Sequence, residues 1–219
     1  MMNEWWAQIK SVVGPAEQIA YMPLESLCEV FQRPMYEVIT IFSALIAFLV
    51  CLPMPWFRNT TFRKAYSLFW GVTIGFYTYG IPFFMYIAFV ILGYLQLRFL
   101  PTRVSTSTIP VIAMGILILR AGYQTLKGSN AELSVKTVMM VAYIKMCYIA
   151  LNRKDADAIA RNDARHLTKR EEIYAEPLKE IPTFIEWCEY FFFCGVAVIG
   201  PATEYKDFVD YINLRGAFG

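Results

Sequence analysis

Lys145 stands eleven residues into the apolar run "SVKTVMMVAYIKMCYIAL", residues 134–151, and an ammonium in such a place has few chemical uses. A full charge at the centre of a membrane segment costs ~2.5–3.5 kcal/mol on insertion scales and marks either a functional group or a paired one. Leu151 lies six residues further on. That is about 9 Å of helix at ~1.5 Å per residue, more than a lysine stem covers by snorkelling. Two readings stay open: Lys145 partners a buried carboxylate, or it lines an internal cavity. Lys136 lies one turn from the start of the same run, where snorkelling suffices. Glu186 and Glu189 are three apart near the entrance of another apolar run, residues 183–199, and so share a helix face. The positive end of that helix's dipole accounts for them, with a polar cavity as the alternative.

The one histidine, His166, sits in "NDARHLTKREE" and reads as a surface residue, not a general base. No Gly-x-Ser-x-Gly, P-loop or metal-ligand spacing occurs. Cys28, Cys51, Cys147, Cys188 and Cys194 show no paired spacing, so they read as small packing groups and not as a disulfide framework or zinc site. Neither a metal nor a bound cofactor is expected.

The elements that must carry these residues are membrane helices. Of the 219 residues 57% are hydrophobic and 17% charged, with mean hydropathy +0.42. A soluble domain has about 45–50% apolar and about 25% charged residues. A net charge of +2 gives no reason to expect nucleic acid as a partner. Glu4 and the Gly14-Pro15 break argue against a signal peptide, whereas Trp5 and Trp6 suit a segment lying at the membrane–water interface.

The first clear span is residues 36–52, closed by Pro53 and Pro55. Residues 66–97 form one uncharged zone, too long for a single span and broken at Gly80-x-Pro82 into two short or tilted helices. Further apolar segments cover residues 108–122, 134–151 and 183–199, and a last partial helix runs from Thr203 towards Leu214. Residues 152–182 carry dense charge of both signs and lie outside the bilayer core, with Asp157 and Arg161 placed to pair on one helical face. If each segment up to Leu151 crosses once, loops 53–65, 98–107 and 152–182 share twelve Lys/Arg against four on the opposite side. The charge bias then puts the long loop in the cytosol. The fold class is all-α and polytopic. Residues 1–35 form an interfacial segment, 36–151 about five membrane segments, 152–182 an extramembrane loop, and 183–219 a Gly-Pro segment with the start of the next helix.

Two stretches resemble motifs of the membrane-bound O-acyltransferase family, lysophospholipid acyltransferase branch. In "MVAYIKMCYIALNRKDA", Met140, Lys145, Ala150, Asn152 and Asp155 fall on that family's intervals, with Ala156 in place of a glycine. In "IPTFIEWCEYFFFCGVAVIGPATEYKDFVDYI", Pro182, Glu186, Tyr190, Phe192, Phe193, Gly200, Pro201, Glu204, Tyr205 and Asp207 match, with Cys194 where a proline is common.

The resemblance implies the N-terminal portion of such a fold in the endoplasmic reticulum membrane. Its partners would be membrane lipids, a lysophospholipid acceptor and acyl-CoA as co-substrate. In that family a catalytic histidine and a nearby asparagine follow the Gly-Pro segment. His166 precedes it, so the resemblance assigns no catalytic residue here and implies that these residues alone are inactive. The positions it marks as substrate-tunnel or structural candidates are Lys145, Asn152, Asp155, Glu186, Tyr190, Gly200, Pro201, Glu204, Tyr205 and Asp207. A non-catalytic lipid-binding or regulatory membrane protein is the alternative, and a small channel or transporter ranks last because no inverted repeat is evident.

Overall fold

A computed structural model describes residues 28, 35–126, 135–160, 181–196 and 202–215. The interfacial tryptophans, His166 with most of its charged stretch, and Gly200-Pro201 lie outside the described residues. Every regular element among those described is helical: α1 (Met35–Cys51), α2 (Thr60–Tyr79), α3 (Phe83–Phe99), α4 (Thr102–Leu126), α5 (Val135–Ala160), α6 (Phe184–Phe191) and α7 (Tyr205–Asn213), with short 3-10 turns at Met54–Trp56 and Cys194–Val196.

The boundaries follow local chemistry. Helix α1 meets Pro53, which leads into the 3-10 turn. Asn59 caps α2, its side-chain oxygen accepting from the Thr61 amide at 2.9 Å. The break expected at Gly80-x-Pro82 is a sharp corner. Gly80 takes φ 57°, its N–H closes on the Phe76 carbonyl at 2.8 Å, and Pro82 stands immediately ahead of α3.

Two boundaries differ from the sequence expectation. Helix α5 continues to Ala160, and both Asp155 and Ala158 in this extension are fully buried, so the charged stretch begins as packed helix. The apolar run 183–199 is not one helix, because α6 stops at Phe191 after eight residues. The Phe192 carbonyl lies hard against Gly71 of α2, and the Cys194 amide points at Ser67 Oγ, 3.4 Å away. Tertiary contacts with α2 therefore turn a chain whose composition would have let it continue.

A single large core draws on every helix, with Met54, Phe83, Val90, Ala142, Ile149 and Trp187 at or below 1% exposure. Helices α4 and α5 pack side by side, α3 lies against both, and α2 joins α1 to α6 and α7. Outside this core, α1 turns Ile41, Leu45, Phe48 and Leu49 outward along one face, each more than half exposed. Among the described residues one helical segment, Glu37–Trp56, is long and apolar enough to cross a membrane, with mean hydropathy 2.3. Phe83–Phe99 and Val104–Leu119 are apolar but shorter. Of the about five expected crossings, one helix among the described residues meets the length and composition test.

Candidate functional site: cations at buried helix ends

Each α-helix leaves its last four carbonyls without an internal partner, and its C-terminus carries partial negative charge. A helix that ends inside a protein must find donors elsewhere. Here α6 ends in the core, and the donors come from two other helices. Lys145 of α5, 1% exposed, donates from Nζ to the Tyr190 carbonyl at 2.9 Å. Tyr86 of α3 donates its hydroxyl to the Phe191 carbonyl at 2.8 Å. The ammonium also lies 4.3 Å above the centre of the Tyr190 ring, whose negative face favours a desolvated cation. The hydrogen bond that Lys145 makes among the described residues goes to a backbone carbonyl, a partner that neither of the two sequence readings named.

The same construction recurs twice. Arg153 of α5 donates from Nη1 to the Leu97 carbonyl in the last turn of α3. Arg63 of α2, 3% exposed, donates from Nη1 to the Ile212 carbonyl in the last turn of α7, and from Nη2 to the Phe57 carbonyl at 2.6 Å. Three cations thus seat themselves at three foreign helix C-termini. A charge-assisted hydrogen bond of this kind is worth about 1.5–3 kcal/mol, and it joins elements far apart in the chain. Sequence reasoning singled out Lys145 but neither arginine. Both arginines stand beside apolar stretches, "TTFRKAYS" and "IALNRKDA", and look like ordinary interfacial residues until the fold brings the carbonyls to them.

Glu186 and Glu189, expected to act alike, separate. Glu186 completes a capping box with Thr183: its Oε2 accepts from the Thr183 amide at 2.9 Å, and the Glu186 amide donates back to Thr183 Oγ1 at 3.3 Å. The Thr183 amide holds the Glu186 carboxyl below the usual carboxylate range, with smaller help from the Thr183 hydroxyl and Lys64 against a partial desolvation. Glu189, one turn on, is buried and pairs with Lys64 of α2 at 3.2 Å.

Tyr190 joins two of the other candidates, Lys145 and Tyr205. Its hydroxyl donates to the Thr203 carbonyl, and its ring meets Tyr205 edge-on at 5.4 Å between centres and Phe208 at 5.5 Å. Glu204 occupies the N-cap position of α7, and Asp207 stands exposed in its first turn. Asn152 is half-buried and Asp155 fully buried on α5. Gly200 and Pro201 lie outside the described residues. Of the candidates, Lys145, Tyr190 and Tyr205 meet at one junction of α5, α6 and α7. No group of three His, Cys, Asp or Glu able to hold a metal ion occurs among the described residues.

A further feature escaped the sequence reading altogether. Cys51 and Cys194, 143 positions apart, bring their sulfurs to 3.2 Å. Nothing in their spacing signals it, because the approach depends on the turn after α6 folding back to the end of α1.

No family model matches the chain. Among curated proteins it is similar to lysophospholipid acyltransferase 5 of Mus musculus, 20% identical over 212 residues. The likeness covers 97% of this chain and 42% of the mouse protein, so the chain spans less than half the length of that relative.

Proposed function

We propose that this chain is the membrane-embedded N-terminal portion of a membrane-bound O-acyltransferase fold that serves acyl transfer from acyl-CoA to a lysophospholipid in the endoplasmic reticulum membrane. The observation that carries this reading is the likeness to a lysophospholipid acyltransferase along 97% of the chain. It embraces both motif stretches, whose Lys145, Tyr190 and Tyr205 meet at one junction. An apolar face on α1 and a core held by charged groups suit a body seated in lipid, where backbone groups must be satisfied by protein.

In this reading residues 35–215 supply scaffold and not the reaction centre. Lys145, Arg63, Arg153, Tyr86 and Trp187 all donate to backbone carbonyls, which leaves them holding helices together. A base able to take the proton from an attacking lysolipid hydroxyl needs a near-neutral pKa and access to substrate. Groups already committed to backbone carbonyls between packed helices are not placed to reach a substrate hydroxyl. A non-catalytic lipid-binding or regulatory membrane protein is the second reading, favoured by the same engagement of its polar side chains.

Acyl transfer from acyl-CoA to lysophospholipids in acyltransferase-deficient membranes tests both. The 219-residue chain alone is expected to show none; robust turnover would overturn the scaffold assignment. A chimera carrying this chain in place of the matching stretch of the mouse relative is expected to restore transfer. A chimera that inserts, stays intact and remains inactive would count against the acyltransferase reading, and labelling by a photoactivatable lysophospholipid would then favour the second.

A further inference from the structure

We propose that Cys51 and Cys194 are a redox-active pair that closes into a reversible disulfide, bolting the turn after α6 to the end of α1. This inference is independent of the acyl-transfer reading. Both residues are thiols in the structure, and their sulfurs stand 3.2 Å apart. Two thiolates sharing a tetrahedral metal with bonds of ~2.3 Å sit about 3.8 Å apart, so the separation suits direct bonding better than a shared ion. An S–S bond of about 2.05 Å requires the sulfurs to close by roughly 1.2 Å.

The surroundings favour one order of events. Cys194 is fully buried, with Ser67 Oγ 3.6 Å and Met54 Sδ 3.6 Å from its sulfur. Cys51 is half-buried at the C-terminal end of the apolar segment Glu37–Trp56, whose last residue, Trp56, is 81% exposed. Gly195 is exposed and adjoins the Cys51 sulfur, to which an added Cβ would come within 3.3 Å, so no side chain of its own stands on that side.

A water-soluble low-molecular-weight disulfide of the glutathione class therefore meets Cys51 first. The Cys51 thiolate attacks one sulfur of the reagent, forms a mixed disulfide and expels one thiolate. Cys194, having lost its proton, attacks the Cys51 sulfur and expels the second. Two electrons pass to the reagent, two protons leave with the two thiols released, and a Cys51–Cys194 bond remains. Thiol reductant reverses each step.

The bond would lie next to the junction already described. Phe192 precedes Cys194 by two residues and rests its carbonyl against Gly71, while Tyr190 and Phe191 offer theirs to Lys145 and Tyr86. Oxidation thus fixes the end of α6 relative to α1, and reduction releases it.

The test uses the full chain in membranes exposed to glutathione disulfide, with remaining thiols then blocked by N-ethylmaleimide in denaturant and non-reduced peptides mapped by mass. The expected result is a Cys51–Cys194 cross-linked peptide short of two hydrogens, maleimide on Cys28, Cys147 and Cys188, and reversal by dithiothreitol. Maleimide on all five cysteines, or a bond joining any other pair, overturns the proposal. Cys194→Ser is expected to stop at the glutathione adduct on Cys51, and Cys51→Ser to leave Cys194 unmodified. A glutathione adduct on Cys194 in the Cys51→Ser chain would overturn the order of attack. The wild-type peptide map decides the bond itself, whether or not either variant folds.

Discussion

The two ends of α6 solve the same problem by opposite means. At its start, Thr183 and Glu186 satisfy each other's amides across three residues of sequence. At its finish, the carbonyls of Tyr190 and Phe191 depend on Lys145 and Tyr86, from helices 45 and 105 positions away. The first end is closed by neighbours in the chain and forms as soon as the turn does. The second exists only when α3, α5 and α6 have assembled. A helix of eight residues is too short to be stable alone, so the remote end is what commits α6 to its place.

That contrast orders the perturbations, and thermal unfolding midpoints of the detergent-solubilised chain read them. The largest effect is expected from Gly71→Ala. A Cβ there would lie 1.6 Å from the Phe192 carbonyl oxygen, which is backbone and has no rotamer to move. Forcing α2 away from the turn after α6 should cost about 3 kcal/mol. A midpoint equal to wild type would show that α2 does not hold this turn. Lys145→Ala follows, at about 2–3 kcal/mol, from an unsatisfied buried carbonyl together with a cavity. Lys145→Met should lose only about 1 kcal/mol, because it keeps the volume and removes a desolvated charge. If Met proves as damaging as Ala, the hydrogen bond and not the packing secures this end. Tyr86→Phe removes one donor without opening space and should cost about 1–2 kcal/mol.

How much of this was legible depends on the distance between partners. The corner at Gly80-x-Pro82, the start of α7 near Thr203 and the apolar face of α1 follow from backbone preferences and composition, which act within a few residues. That Lys145 is unusual was visible, since hydropathy alone puts it deep in an apolar run. What it binds was not. A carbonyl is present on every residue and leaves no signature, so a sequence can announce a buried donor without naming its acceptor. Arg63 and Arg153 were missed for the same reason, compounded by their positions beside apolar runs. The end of α6 was misplaced because "FFFCGVAVIG" reads as continuous apolar helix. Gly71 and Ser67, more than a hundred residues earlier, decide otherwise.

The smallest effect belongs to the local end, and pH isolates it. The Thr183 amide holds the folded-state pKa of Glu186 below its unfolded value. The carboxylate's contribution is therefore fully present above the unfolded pKa and fades as pH falls through the folded one. Because Glu186 is only half-buried, solvent screening keeps that contribution small. Glu186→Gln retains a side-chain oxygen for the Thr183 amide but cannot titrate. The variant and the wild type should differ slightly at neutral pH and converge as acid protonates the carboxyl. Lys145→Ala, whose defect lies at the remote end, should stay separated from wild type across that same window. Convergence of Lys145→Ala instead would mean that the two ends of α6 are coupled and that the division between local and remote closure is wrong.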